Sequence, residues 1–241
     1  MTDELEVRVA RMVVPARGVQ DRQAVLPGPL QAFHRALLGA FLAGAGPPDR
    51  SVVGQLAAAL ALEPRAALAV LGAADLVRTD PATSRVSVAY PFSAVPTSHR
   101  VELADGPTVY AMCALDALGV PLMTRSNGRI SSADPSSGQP ITVTVDDRGW
   151  RWRPATTMVL AGTAAVGDAC SRVADCCCPH INFLASPRDA DDYRRAHPAL
   201  AAELLDQAEA IEAARRSFAG LLHREPGDDP AGHRPPRRPS E

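Results

Sequence analysis

Lysine is absent from this chain, so apart from histidine every basic side chain is an arginine. Aromatic residues are also scarce, at 4% of the 241 residues, whereas 46% of the residues are hydrophobic. We therefore expect a globular protein whose core consists mainly of alanine, valine and leucine, in one large domain or two small ones. The formal charge of −2 gives no general reason to expect nucleic acid as a partner.

Long apolar runs and export signals are lacking as well. The purest apolar run, from Leu56 to Leu62, is too short to cross a bilayer. The first residues are acidic and lack the basic flank and apolar segment of a signal peptide. These features predict a cytoplasmic protein with no membrane partner. The chain has five cysteines, and because thiols stay reduced in the cytoplasm, we expect no structural disulfide.

Helical periodicity dominates the first third of the chain. Residues 1–28 show little periodicity and are predicted as an N-terminal arm. Residues 29–90 contain three segments with apolar residues at helical spacing, followed by two strand-like segments around a turn. This order predicts a winged-helix-like domain. Its third helix, which begins at Pro64, offers one arginine and no Asn, Gln, Lys or Ser to read base edges, so we interpret the domain as a scaffold.

The rest of the chain alternates between turn signals and short periodic segments. Residues 91–107, rich in proline and turn residues, are predicted as a linker. Residues 108–222 are predicted as a catalytic domain, with one helix from Val109 to Leu118 and a long helix from Pro198 to about Leu222. Residues 223–241, with five prolines, are predicted as a disordered tail.

These elements together predict an α+β fold class. A winged-helix-like helical region at the N-terminus is expected to pack on a C-terminal region, which contains a small mixed or antiparallel sheet with flanking helices. Strand-like segments for this sheet lie at residues 129–132, 141–145, 157–160 and 181–185.

The residues with the most distinctive chemistry are cysteines. Three are consecutive, from Cys176 to Cys178, and Cys113 precedes Asp116 by three residues in an apolar segment. On a helix this spacing places the thiol and the carboxyl on one face. Thiolates are soft-metal ligands and good nucleophiles, and a carboxyl beside them adds a proton carrier. We therefore expect the two segments to meet in a site for a soft metal.

Less specific interpretations stand beside this one. A single cysteine in a helix of alanine and leucine is usually a core residue, and Asp116 could simply be exposed or cap a turn. Adjacent residues of a strand point to opposite faces, so at most two of the three consecutive cysteines could share a site. His180 follows the cluster, but the chain has no paired Cys-x-x-Cys motifs that would support a structural zinc site. Cys170 is interpreted as a small buried residue.

The motifs in their order resemble those of one known family. They are Cys113-Ala114-Leu115-Asp116, then Pro121, then Arg129-Ile130-Ser131-Ser132, and then Cys178 before Phe183-Leu184-Ala185-Ser186. This arrangement is similar to alkylmercury lyases, and the resemblance covers about Tyr110 to Ser186. It implies that Cys113, Asp116 and Cys178 are catalytic and bind mercury as substrate and product. The choice of Cys178 over Cys177 depends on the register of the match.

The resemblance also implies a reaction and its partners. Two thiolates would capture an organomercurial substrate, and Asp116 would take a proton from a cysteine and give it to the leaving carbon. No organic cofactor is implied, and cellular thiols or a mercuric reductase would accept the Hg(II) product. Many members of the family carry a further cysteine, with a structural role, near the position of Asp134 in this chain.

Two other functions remain compatible with the residues themselves. One is a thiol-based protein that binds a soft metal without cleaving a bond to carbon. The other is a winged-helix metal sensor, against which the sparse third helix and the acidic net charge count. The sequence leaves the oligomeric state, the range of organic groups and the route of mercury release open.

Overall fold

The computed structural model describes residues 18–164 and 173–223. Most of the predicted N-terminal arm, the predicted disordered tail after His223, and Cys170 lie outside the described residues. The described end of the arm forms a short helix, α1 (Val19–Ala24).

Three further helices precede the first strand in the described chain. They are α2 (Gly28–Gly44), α3 (Arg50–Ala58) and α4 (Pro64–Ala73). The carboxylates of Asp49 and Glu63 accept backbone N–H groups at the starts of α3 and α4, which satisfies donors that have no partner within the helix. These three helices lie where the apolar periodicity predicts them.

The larger of the two sheets in the described residues has eight strands, in the order β1-β2-β3-β5-β4-β6-β7-β8. Its strands are β1 (Val77–Thr79), β2 (Val86–Ala89), β3 (Phe92–Ser93), β4 (His99–Leu103), β5 (Thr108–Ala111), β6 (Gly128–Ala133), β7 (Pro140–Asp146) and β8 (Gly149–Arg153). Each pairing between neighbours is antiparallel. The sheet is thus larger than the small sheet that the sequence predicts, and of the two predicted arrangements, mixed or antiparallel, it has the antiparallel one.

The prediction of a linker over residues 91–107 is wrong. This segment contains β3 and β4, and β4 lies inside the sheet with β5 and β6 as its neighbours. The side chain of Val101 is fully buried. The proline and glycine residues of the segment mark turns between short strands, which give the same sequence signal as a linker. As a result, the N-terminal hairpin and the C-terminal region share one sheet.

A second sheet contains three antiparallel strands in the order β10-β9-β11. They are β9 (Met158–Thr163), β10 (Ile181–Leu184) and β11 (Ala201–Leu205). The remaining helices are α5 (Ala114–Thr124), α6 (Val173–Cys176), α7 (Pro187–Ala196) and α8 (Gln207–Phe218), and a 3₁₀ turn spans Cys178–His180.

The predicted helix from Pro198 to about Leu222 is also corrected. Its first part is strand β11, which pairs with β9, and α8 begins only after Asp206. Asp206 and Glu209 form a capping box, in which each side chain accepts the other residue's backbone N–H. The alanine- and leucine-rich segment before this cap is a strand because an open edge of β9 is available to it.

Helix α5 is the buried element around which the other parts pack. It runs through Pro121 to Thr124, and its residues Ala114 to Pro121 are all buried. Helix α8 packs directly on it, and the contact at Gly119 is so close that a Cβ there would lie 2.3 Å from the Phe218 ring. None of the described helices is long and apolar enough to cross a membrane.

Candidate active site

Cys113 is the N-cap residue of α5. Its backbone is extended, and its Sγ accepts the backbone N–H of Asp116 at 3.4 Å. The sequence predicts Cys113 inside a helix from Val109 to Leu118, but β5 occupies the start of that segment and the helix begins after Cys113. The thiol and the carboxyl still meet, because the N-cap side chain folds over the first turn of the helix.

Cys178 comes to the same place from a distant part of the chain. It begins the 3₁₀ turn that leads into β10, and β10 packs near α5. Its thiol donates to Oδ2 of Asp116 at 3.8 Å, across 62 residues of sequence. The ligand atoms of Cys113, Asp116 and Cys178 all lie within 4.8 Å of one another, and all three residues are buried. The structure therefore brings together the three residues that the sequence analysis singles out.

The other two consecutive cysteines do not join this group. The Cys177 thiol is buried and donates to Oγ1 of Thr163 on β9 at 3.6 Å. Cys176 is disulfide-bonded, which corrects the expectation of no disulfide. One of the three adjacent cysteines thus belongs to the group. The cysteines lie at the end of α6 and the start of the 3₁₀ turn rather than on a strand, so the limit predicted from strand geometry does not apply to them.

Burial controls the protonation of the three groups. It raises the pKa of Asp116 to about 7, against the smaller lowering effects of the two thiol hydrogen bonds and the Arg22 charge. Burial also raises the pKa of the Cys113 thiol well above its usual range. The hydrogen bond with Cys113 lowers the pKa of Cys178, but burial and the charge of Asp116 outweigh it, and the net change is upward. Both thiols are therefore protonated at neutral pH, while Asp116 can both accept and donate a proton there.

The three groups line a cavity of about 40 Å³. Side chains from α1 and α8 also line it, among them Arg22 and Phe218, together with Tyr90 after β2. The Arg22 guanidinium forms an ion pair with Asp75 at 3.4 Å and lies 5.7 Å from the centroid of the Tyr90 ring. Neither Arg22 nor Tyr90 is predicted from the sequence, because neither lies in a motif and Arg22 falls in the predicted arm.

Asp134 does not line the cavity, and it is buried elsewhere in the protein, with 1% of its surface exposed. Its carboxylate accepts the backbone N–H groups of Ser136, Ser137 and Ala185, at 2.7, 3.1 and 2.6 Å. These contacts join the turn after β6 to the segment that follows β10. The contacts of Asp134 are therefore structural, at the place where many relatives are expected to carry a structural cysteine.

His180 and Asn182 point to other partners. A ring nitrogen of His180 lies 3.2 Å from the hydroxyl of Tyr193, and the Asn182 amide donates to the carbonyl of Pro179 at 3.0 Å. Within the described ranges, the group of Cys113, Asp116 and Cys178 is the only close cluster of three potential metal ligands, so a zinc site at His180 has no support.

Two buried thiols and a carboxyl whose pKa is raised to about 7 form a group that could hold a soft metal ion, on an α+β scaffold. The family model for alkylmercury lyase, MerB, matches residues 92–219. The matched segment is more than half of the chain and contains all three clustered residues. The chain therefore belongs to the alkylmercury lyase family.

Curated relatives agree with this assignment. An alkylmercury lyase of Staphylococcus epidermidis is 35% identical over 112 residues, which cover 46% of this chain and 50% of that protein. An alkylmercury lyase of Streptomyces lividans is 31% identical over 138 residues, which cover 57% of this chain and 60% of that protein. The chain thus spans about half the length of the curated relatives it matches.

A solved structure shares the fold. The mercury-bound form of MerB2 superposes with a TM-score of 0.68 at 20% sequence identity, and the match covers 83% of this chain and 95% of that one. At this level of identity the comparison establishes the common fold of helices and antiparallel sheets.

Proposed function

We propose that this protein is an alkylmercury lyase, which cleaves the carbon–mercury bond of organomercurials to give a hydrocarbon and Hg(II). The observation that carries the proposal is the buried cluster of two thiols and one carboxyl within 4.8 Å. Mercury prefers thiolate to oxygen and nitrogen ligands, and a bond between mercury and carbon is cleaved when the carbon receives a proton. The cluster provides groups for both steps.

Capture of the substrate, R–Hg–X, is the first step. One cysteine forms a sulfur–mercury bond, the mercury–X bond breaks, and X leaves with the thiol proton as HX. The second cysteine then binds the same mercury atom and passes its proton to the carboxylate of Asp116. The raised pKa of about 7 makes Asp116 a suitable acceptor, and its contact with the Cys178 thiol gives the proton a direct path.

Cleavage is the second step. The second thiolate increases the electron density on mercury and weakens its bond to carbon. The proton on Asp116 moves to the carbon, the electron pair of the carbon–mercury bond becomes the new carbon–hydrogen bond, and the hydrocarbon leaves. Hg(II) remains on Cys113 and Cys178. Overall, one substrate and two thiols give a hydrocarbon, HX and a mercury dithiolate, with no change in oxidation state that would require a redox cofactor.

The proposal extends to the setting of the reaction. We expect external thiols or a mercuric reductase to remove Hg(II), and we expect the protein to work in the cytoplasm, where thiols are abundant. The winged-helix-like arrangement of α2 to α4 serves as a scaffold, and it positions α1 and Tyr90 at the cavity. The observation in favour of a scaffold is that the hairpin of β1 and β2, which follows these helices, is part of the eight-stranded sheet.

A headspace assay tests the proposal. Reduced protein is incubated with methylmercury and excess 2-mercaptoethanol, and methane is followed by gas chromatography, with a Cys113→Ala control. Methane that depends on Cys113 is the expected result. If no methane forms while mercury binds stoichiometrically, the protein binds organomercurials without cleaving them, and the lyase proposal is rejected.

A further inference from the structure

Two residues that line the reactive cavity have no part in the proposed chemistry. Arg22 lies on α1, and its side chain is 13% exposed. Tyr90 follows β2 and is 2% exposed. The guanidinium lies over the tyrosine ring, and both residues share the cavity wall with Cys113, Asp116 and Cys178.

Both residues present a buried polar atom that finds no partner. Nε of Arg22 and the hydroxyl of Tyr90 have no hydrogen-bond partner within residues 18–164 and 173–223. Leaving a buried donor unsatisfied destabilises a folded protein, so a ligand that accepts hydrogen bonds from these two cavity-lining residues would be stabilised there. A guanidinium has five N–H donors, and the ion pair of Arg22 with Asp75 uses a single nitrogen.

The charge of this wall selects the kind of ligand. Arg22 is cationic, and the tyrosine hydroxyl is a donor because burial raises the pKa of Tyr90 far above neutrality. The wall also carries the Asp116 carboxyl, and Arg22 pairs with Asp75, so an anion is favoured only on the side of Arg22 and Tyr90, where the remaining N–H donors of the guanidinium fit the oxygens of a carboxylate. A cavity of about 40 Å³ holds roughly three water-sized groups, so the part of a ligand that lies beside Arg22 and Tyr90 has to be small, as a carboxylate is.

We propose that Arg22 and Tyr90 form a subsite for a carboxylate on the small thiol that accompanies mercury. This inference rests on the proposed lyase function. In the presence of excess thiol an organomercurial exists as R–Hg–S–R′, and R′ often carries a carboxylate. During capture the bond between mercury and the ligand sulfur breaks, the bond to the cysteine sulfur forms, and the cysteine proton goes to the leaving thiolate. The subsite holds that ligand beside the cysteines, and it receives the same kind of thiol when Hg(II) is removed.

Two thiols of similar size test the subsite. Methylmercury is supplied as its complex with mercaptoacetate, which carries a carboxylate, or with 2-mercaptoethanol, which is neutral. The measured quantity is the ratio of kcat/KM for the first complex to that for the second. Arg22→Gln should lower this ratio about tenfold, the size of one charge-assisted hydrogen bond, and Tyr90→Phe should lower it less. Taking the ratio within each variant removes general effects on the reaction.

Further variants make the test independent of folding defects. Asp75→Asn leaves Arg22 without its opposing charge, and its amide oxygen can still accept the Val173 N–H, which Asp75 accepts at 3.2 Å. The ratio should therefore rise in this variant. Arg151→Gln removes an exposed arginine that pairs with Asp146 and should leave the ratio unchanged. An equal ratio in the wild type and Arg22→Gln, or a fall in Asp75→Asn, would overturn the proposal.

Two more arms separate the remaining explanations. The organic group could carry the carboxylate instead, so 4-carboxyphenylmercury is compared with phenylmercury, both as 2-mercaptoethanol complexes. Dependence on Arg22 in this pair alone would reject the assignment to the thiol. If no substrate is cleaved, the lyase proposal fails, and the subsite is measured separately. In that case the measured quantity is the rate at which mercaptoacetate removes Hg(II) from the loaded protein, divided by the rate for 2-mercaptoethanol. This ratio should be higher in the wild type than in Arg22→Gln. Equal ratios in the two proteins would reject the subsite.

Discussion

The carboxylate of Asp134 accepts the backbone N–H of Ala185 at 2.6 Å, although 51 residues separate them. The same carboxylate accepts two N–H groups of the turn after β6. One buried side chain therefore connects the large sheet to the strand that follows Cys178.

This connection predicts a loss of stability without a loss of chemistry. Asp134→Ala should lower the free energy of unfolding by about 2 to 3 kcal/mol, because hydrogen bonds to a charged group are lost and buried N–H groups stay unpaired. Asp134→Asn keeps one acceptor oxygen, so its free energy of unfolding should lie between those of the wild type and Asp134→Ala. Denaturant unfolding measures the difference, and the cleavage rate well below the melting temperature should stay close to that of the wild type. A stable Asp134→Ala protein with no activity would contradict the structural role.

Asp116→Asn should separate mercury binding from cleavage. The amide keeps the size of the carboxyl and leaves both thiols in place, but it cannot take a proton from a cysteine or give one to carbon. We expect stoichiometric mercury binding, measured by elemental analysis after dialysis, and a fall in methane production of at least about a hundredfold, in line with the usual contribution of a general acid. Methane production at the normal rate would show that Asp116 is not the proton carrier.

The pKa of Asp116 also predicts how stability depends on pH. In the folded protein this pKa is raised from 3.8 to about 7, so the folded state retains a proton that the unfolded state has already lost. The stability contributed by Asp116 is therefore complete below about pH 4 and is lost as the pH rises through about 7. As the pH rises from about 4 to about 7, the unfolding free energy of Asp116→Asn should increase by about 2 to 4 kcal/mol relative to that of the wild type, since one pKa unit is worth about 1.4 kcal/mol.

Comparison with the variant is needed because two buried histidines act in the opposite direction. Burial lowers the pKa of His34 to about 3 and that of His99 to about 4. Their stability contribution is present above pH 6.5 and is lost as the pH falls towards those values. Both histidines remain in Asp116→Asn, so their effect cancels in the difference. A difference in unfolding free energy that does not change between pH 4 and 8 would contradict the raised pKa of Asp116.

The three consecutive cysteines should differ sharply in importance. Cys178→Ser should lose tight mercury binding and cleavage, because its thiol is the one beside Asp116. Cys176→Ser removes a disulfide outside the reactive group, so it should keep the cleavage activity while it lowers stability. Cys177→Ser should keep most activity, because a serine hydroxyl can replace the thiol contact with Thr163. Competition for mercury against excess thiol, together with the methane assay, ranks the three variants. Loss of activity in Cys177→Ser but not in Cys178→Ser would reassign the second catalytic thiol.

The spacing of nearby residues in the sequence predicts part of the candidate site, but it does not predict which distant residues join that site. A separation of three positions in sequence is enough to bring Cys113 and Asp116 together, whether Cys113 lies inside a helix or caps it. Cys178 is 62 residues from Asp116, and only the family resemblance links them in the sequence. Arg22 and Tyr90 carry no motif at all. The place of Arg22 in the cavity depends on how α1 packs, and that of Tyr90 depends on how β2 pairs in the sheet, and periodicity encodes neither.

The errors in the fold have a similar physical origin. Strands β3 and β4 are short and lie between prolines, so their turn signals resemble those of a linker. Strand β11 is rich in alanine and leucine, which favour a helix, and it is a strand because β9 offers an edge to pair with. In both cases tertiary pairing overrides local preference.

The close packing of α5 against α8 at Gly119 predicts that stability is sensitive to a larger side chain at this position. A Cβ at this position would lie 2.3 Å from Cδ2 and 2.6 Å from Cγ of Phe218, so the ring or the helix would have to move. Gly119→Ala should therefore destabilise the protein by about 1 to 3 kcal/mol, although alanine favours a helix by about 1 kcal/mol over glycine. Phe218 also lines the reactive cavity, so we expect altered kinetics for bulky organic groups.

Gly39 provides the matched control for this change. It lies within α2, it is exposed, and a Cβ there would meet no atom within 4 Å. Gly39→Ala should stabilise the protein by about 0.5 to 1 kcal/mol through helix preference alone. Adding Phe218→Leu to Gly119→Ala should recover part of the lost stability, so the double variant should be less destabilised than the sum of the single changes. Strict additivity in thermal or denaturant unfolding would show that the two residues do not contact each other as described.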